Sequence, residues 1–360
     1  VALSVLFELI NGFTRRDGAG IAGTEMFTFA PVRRIAFGIS PDEATFDRRG
    51  FPAPQPEVRH HLEKAGGSFI EGYNTALADP RPDVLAERLN QLSDTYRGFA
   101  FEGAAMALAL LDLVTPWQQG RFQAFCDGPG SGHMYLLYVG AGWAMARLPW
   151  TRRRFERVMR RFHPLYGWLT LDGYGFHQGY FYTPAYVHKQ LEPSHLSGEA
   201  RRVFDQGLGR SMWFSQGGDA ERIAGAIGRF PARRQEALWS GVGLGSTYAG
   251  GVDRESLEAV RTQASGFVAH VAQGAAFAAK ARQRAGNPVP HTALACEVYC
   301  RMTADQAAAV TDECLSDLPV DVPDSACRPD GSKPTYETWR KKIRDHFADH
   351  LQQVACGVRK

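Results

Sequence analysis

The chain has 360 residues, of which 44% are hydrophobic and 22% charged, with a formal net charge of +3. This is the composition of an ordinary soluble globular protein, and a charge so near zero argues against nucleic acid as the main partner. No run of about 18 apolar residues occurs, so no membrane span is expected.

In chain order, the opening segment VALSVLFELINGF places Leu3, Leu6, Phe7 and Ile10 at helical spacing. It lacks a basic stretch before its apolar residues, so it reads as an amphipathic helix and not as a signal peptide. Residues 1–55 form a lead-in whose later part is punctuated by Pro31, Pro41, Pro52 and Pro54, and therefore reads as loop and short turns. Residues 56–315 read as one helical-repeat domain in which two kinds of helix alternate. Glycine-bearing helices, such as that predicted over Ala232–Gly250, alternate with charged ones predicted over Asp83–Leu92, Thr151–Phe162, Asp219–Phe230 and Asp253–Ala264. Asp219 and Asp253 stand where N-caps are needed, Thr303 with Gln306 fits a capping box, and Gly217-Gly218 and Gly250-Gly251 are natural stops. Phe181–Gly198 interrupts the pattern with two prolines and two histidines, as an insertion on a working face would. Residues 316–360 hold a loop over Ser316–Pro334 and a helix predicted over Tyr336–Val354, expected to cap the open end.

The glycines supply the geometry. Gly72, Gly103, Gly140, Gly173, Gly207, Gly241 and Gly274 recur at spacings of 31, 37, 33, 34, 34 and 33 residues. A period of about 34 is that of stacked helical hairpins. A glycine inside a helix costs about 0.5–1 kcal/mol relative to alanine, and repeating it makes sense where backbones meet closely. The expected fold is therefore all-α: helical-hairpin repeats forming an α/α superhelix or a closed α/α barrel, glycine helices inside and charged helices outside.

The residue before each glycine then lies at one level: Glu71, Glu102, Val139, Asp172, Gln206, Ser240 and Gln273. Carboxylates at that level on an apolar inner face are candidate catalytic groups. They are Asp172 with His177 as an acid–base pair and Glu102 with Glu71 as facing carboxylates, because a low-dielectric cavity shifts pKa values toward neutrality. Trp143, Tyr138, Tyr174, Phe176, Trp213 and Tyr248, with Gln206 and Gln273, are candidate substrate-binding residues suited to a flat conjugated ligand or a carbocation. Each has a plainer alternative as core or helix-bonded polar group. No metal is expected: His291, Cys296 and Cys300 do not match a standard ligand spacing. Nucleophile-elbow, dinucleotide and phosphate-loop motifs do not occur, and GVGLG over 241–245 follows no strand. No cofactor is specified. The six cysteines show no CxxC spacing and read as reduced thiols of a cytoplasmic protein. The arginines of TRRRFERVMRR, Arg152 to Arg161, read as a solvated face or as a dock for an acidic partner such as an acyl carrier protein.

The segments RGFAFEGAAMALALLDLVTPW, YVGAGWAMARL, LDGYGFHQGYF, FDQGLGRSMWF, LWSGVGLGSTYAGGVD and AQGAAFAAKARQRAGNPVPHTALAC resemble a bacterial domain-of-unknown-function family. Its members are best known from enediyne biosynthetic gene clusters, beside the polyene-forming iterative polyketide synthase. The resemblance runs from about Val32 to about Ala348. It implies a role in converting a linear polyene toward an enediyne core, with the synthase or its carrier protein as partner, and it carries over no catalytic residues. Three functions stay open: a biosynthetic enzyme for a long apolar polyene or isoprenoid, a non-standard terpene cyclase with Asp172 as general acid, and a non-catalytic scaffold binding a carrier protein. The terpene reading lacks DDxxD and DxDD signatures. The apolar, aromatic inner helices favour a hydrophobic small-molecule substrate and an enzyme.

Overall fold

A computed structural model describes residues 30–115, 117–320 and 334–357, and every regular element among them is helical. The expected helix over Leu3–Ile10 and most of the loop before residue 334 lie outside the described residues. The helices are α1 (Ala30–Phe37), α2 (Phe46–Arg49), α3 (Pro56–Ala78), α4 (Pro82–Leu89), α5 (Asp94–Val114), α6 (Arg121–Asp127), α7 (Met134–Arg147), α8 (Pro149–Arg153) and α9 (Phe155–Met159). They continue as α10 (Leu169–Phe181), α11 (Gly198–Ser215), α12 (Ala220–Ile227), α13 (Ala232–Ala249), α14 (Arg254–Gln263), α15 (Val268–Arg284), α16 (Pro290–Tyr299), α17 (Ala304–Leu315) and α18 (Thr335–Ala355).

Local chemistry sets the ends. Asp219 accepts from the Arg222 N–H and Asp253 from the Ser256 N–H, each at 2.9 Å, and Thr303 and Gln306 form a reciprocal capping box. Prolines open α3, α4 and α16, where their missing N–H is not needed. Gly250 ends α13 at φ 67°, a conformation that disfavours a side chain. The charged stretch expected as one helix over Thr151–Phe162 is instead two short helices broken at Arg154. Arg153 and Arg157, and Arg157 and Arg161, would face each other four residues apart, and like charges so placed oppose a continuous helix.

Each of the seven glycines lies in its own long helix: α3, α5, α7, α10, α11, α13 and α15. These helices pack against one another in chain order. A Cβ on Gly140, Gly173, Gly207, Gly241 or Gly274 would stand 1.8–2.1 Å from the carbonyl oxygen of the residue just before the preceding helix's glycine. A second glycine two positions on, in Gly142, Gly175, Gly209 and Gly243, makes the same approach to the following helix. Backbone contact on both sides is why side chains are excluded there.

The first pair packs in a different register. Gly103 abuts the carbonyl of Phe69, three residues before Gly72, and not that of Glu71. Helix α3 buries Phe69, Ile70, Gly72 and Tyr73, and Glu71 is left exposed.

The first and last inner helices also make contacts with helices that are not their neighbours in the series. Arg282 on α15 donates to the carbonyls of Asp94 and Thr95 at the start of α5 and to that of Tyr248 on α13. His61 on α3 donates from Nε2 to the Ala249 carbonyl at 2.6 Å and accepts at Nδ1 from the Tyr96 hydroxyl. Helix α18 packs on α15 and α17, and its Tyr336 stacks on Trp168 just before α10. It therefore reaches across the inner helices as well as covering the last hairpin.

Candidate active site

Six of the inner helices meet at one buried polar chain. On α11, Arg210 donates from Nε to Asp172 Oδ1 of α10 at 2.8 Å, and its Nη1 lies 3.6 Å from Glu102 Oε1 of α5. Trp143 of α7 donates its indole N–H to the same Glu102 oxygen at 3.1 Å. Gln206, one turn before Arg210, donates to Asp172 Oδ2 at 2.9 Å. Ser240 Oγ of α13 lies 2.8 Å from Gln273 Oε1 of α15 and 3.3 Å from Gln206 Oε1. All of these side chains are at least nine-tenths buried. Asp172, Gln206, Ser240 and Gln273 are the residues before their glycines, so close packing of the glycines brings them into register.

Two apolar chambers, each with a cavity volume of about 40 Å³, flank this chain. The first is walled by Phe69, Phe99, Trp143, Phe176, Tyr180, Phe181 and Phe214, and two carboxylates, Glu102 and Glu43, also line it. The second is walled by Leu136, Leu169, Leu244, Tyr248, Phe277 and Trp339, with Asp172 also lining it. Arg210 lines both. Its guanidinium sits 4.3 Å from the centre of the Phe176 ring, a cation–π contact that fixes its plane.

Burial pushes the Glu102 carboxyl up from 4.5 to about 7, and the Asp172 charge adds to the rise. The Arg210 charge and the hydrogen bonds from Trp143 and Arg210 oppose it. A carboxyl titrating near neutrality can both give and take a proton, which is the requirement for general acid–base chemistry.

The candidates from the sequence divide. Glu102, Trp143 and Phe176 face the first chamber, and Asp172 and Tyr248 the second. Gln206 and Gln273 belong to the polar chain. His177 is buried edge-on against Trp143 and beside Phe181, while Asp172 is paired with Arg210 and Gln206. Tyr138 packs against Phe122 and Phe162, Tyr174 against His195 and Phe204, and Trp213 donates to the Gly250 carbonyl. These three act in packing. Glu71 is exposed and does not face Glu102, because of the shifted register of α3.

The residue missed was Arg210. Its signal was present in QGLGRSMW: an arginine within the glycine-bearing segment of an inner helix, one turn after Gln206. Among the described residues, no three His, Cys, Asp or Glu side chains are grouped as metal ligands would be. No described helix is long and apolar enough to cross a membrane. Cys126, Cys296 and Cys300 are buried free thiols and Cys356 is an exposed one.

A protein family described as "Protein of unknown function (DUF1702)" matches residues 28–347. No curated protein and no solved structure matches the chain.

Proposed function

For this chain, which belongs to the DUF1702 family, we propose the role of a biosynthetic enzyme that takes a long apolar polyene or isoprenoid into its interior. The observation that carries the proposal is the position of Arg210, shared by two apolar chambers with Glu102 on one side and Asp172 on the other. The contacts of α15 with α5, and of α3 with α13, favour a closed α/α barrel over an open superhelix. A scaffold would offer its inner helices to a protein partner, whereas these are buried along most of their length.

Glu102 is the better general acid of the two carboxyls. Asp172 is held by Arg210 and Gln206, whereas Glu102 titrates near 7. Its proton passes to one carbon of a conjugated double bond, the π electron pair forming the new C–H bond. The allylic cation so formed lies against the faces of Trp143 and Phe176, and the Glu102 carboxylate is stabilised by Arg210 and the Trp143 N–H. Return of a proton from another carbon to Glu102 restores the enzyme. The net change is isomerisation or cyclisation, with no co-reactant. The enediyne-type pathway is the setting that the sequence resemblance suggests. Exposed Arg153, Arg154, Arg157 and Arg161 favour an acidic carrier protein as the delivering partner; the Arg152 side chain lies outside the described ones.

The test is incubation of the purified protein with the polyene released by a partner synthase and, separately, with geranylgeranyl diphosphate, followed by product analysis. Conversion lost in Glu102→Gln with substrate binding retained is expected. Equal conversion by that variant removes Glu102 from the chemistry, and no conversion of either substrate removes the enzyme assignment.

A further inference from the structure

We propose that Arg210 anchors an acceptor oxygen, carboxylate or carbonyl, on an otherwise apolar ligand that lies across both chambers. This rests on reading the interior as a ligand site and names what that ligand must carry. Arg210 differs from the other deeply buried arginines in which nitrogen is left over: Arg282 and Arg340 each have a buried Nε without a partner, whereas in Arg210 it is a terminal nitrogen. Arg234 gives Nε and Nη2 to Asp205 and Nη1 to the Gln190 carbonyl, and Arg282 gives both terminal nitrogens to carbonyls. Arg234 and Arg282 thus tie helices and loops together, with both terminal nitrogens engaged. Arg210 has Nε on Asp172 and Nη1 near Glu102, and its Nη2 is buried without an acceptor among the described residues.

A buried N–H of a charged group without a partner costs more than an ordinary hydrogen bond contributes. An acceptor brought by a ligand removes that penalty. The remaining chamber walls are mostly aromatic and aliphatic, so they add area but little polarity. The Asp172 charge already balances that of Arg210, so a neutral carbonyl can be held as well as a carboxylate. Planar sp² oxygens suit the guanidinium edge.

Three matched probes test this: an 18-carbon conjugated tetraene acid, its methyl ester and the tetraene hydrocarbon of equal length, titrated by polyene fluorescence. Each affinity is referred to the probe's own octanol–water partition. On that scale the acid and the ester should bind about 10–100-fold tighter than the hydrocarbon. Arg210→Lys, which keeps the charge and loses the fork, should erase most of that margin and leave hydrocarbon binding unchanged. Should that variant fold poorly, the paired apolar replacement Arg210→Met with Asp172→Leu serves instead. Equal scaled affinities for the three probes, or equal losses for acid and hydrocarbon in the variants, overturn the oxygen anchor while leaving an apolar ligand site standing. Binding of none of the probes removes both.

Discussion

Gly207 lies against the backbone of Asp172 so closely that a Cβ on it would stand 1.8 Å from the Asp172 carbonyl oxygen. The residue before it, Gln206, holds the Asp172 carboxylate. Main-chain spacing and site geometry are therefore set by the same pair of helices. Gly207→Ala would have to push α10 and α11 apart, since the obstructing atoms are backbone and cannot rotate away. It should cost about 3 kcal/mol or more, at or beyond the upper end for overpacking. At Gly67 on α3 a Cβ would meet nothing within 4 Å, and Gly67→Ala should gain about 0.5–1 kcal/mol. Urea unfolding of the two variants checks this; similar midpoints would show that the close approach does not constrain the fold.

The glycine spacing made the helices and their one shared level legible, because close packing leaves its mark on sequence as a missing side chain. What the spacing cannot show is rotation about a helix axis. Glu71 stands before its glycine as Asp172 does, yet α3 meets α5 two residues out of the later register, and the carboxylate faces outward. Arg210 was hidden for a related reason. It does not precede a glycine, and a charged residue on an apolar helix reads as a boundary until a partner from a distant segment, Asp172 or Glu102, is placed beside it. The aromatics were legible as a group and not individually: Trp143 and Trp213 look alike in sequence, and only the first lines a chamber.

Asp172 and Arg210 are both almost fully buried, so removing one strands the other. Asp172→Leu and Arg210→Met, each made alone, should destabilise by about 3–5 kcal/mol. Replacing both, as Asp172→Leu with Arg210→Met, should recover most of that loss, because well-packed apolar groups substitute for a buried ion pair nearly without cost. Chemical denaturation of the two single variants and the double variant forms the cycle. Simple additivity of the single losses would mean that the two side chains are not coupled.

Cysteine accessibility gives a separate check on the packing. Cys126 and Cys300 are buried, and burial pushes both thiols up, so little thiolate is present at neutral pH. Cys356 is exposed after α18. Maleimide labelling of the folded protein, mapped by mass spectrometry, should modify Cys356 within the first minutes and leave Cys126, Cys296 and Cys300 unmodified until denaturant is added. Early labelling of Cys296 or Cys300 would contradict the packing of α16 against its neighbours.

Glu102 makes stability depend on pH in a direction opposite to that of an ordinary paired carboxylate. The groups facing it are Arg210 from α11, Asp172 from α10, Trp143 from α7 and Tyr248 from α13. Its folded-state value, about 7, lies above the 4.5 of a free side chain, so the folded chain holds this proton more tightly than the unfolded chain. The stabilisation is complete below about pH 4.5 and is lost as pH rises through about 7. Between those limits the loss approaches 1.4 kcal/mol per pH unit and sums to about 3 kcal/mol. Glu102→Gln keeps an acceptor for the Trp143 N–H and removes the titration. Other groups titrate in both proteins, so the difference between the two unfolding free energies isolates this residue. That difference should favour the unsubstituted protein at pH 5 relative to its value at pH 7.5, and a difference independent of pH would mean that Glu102 does not change protonation state in this range.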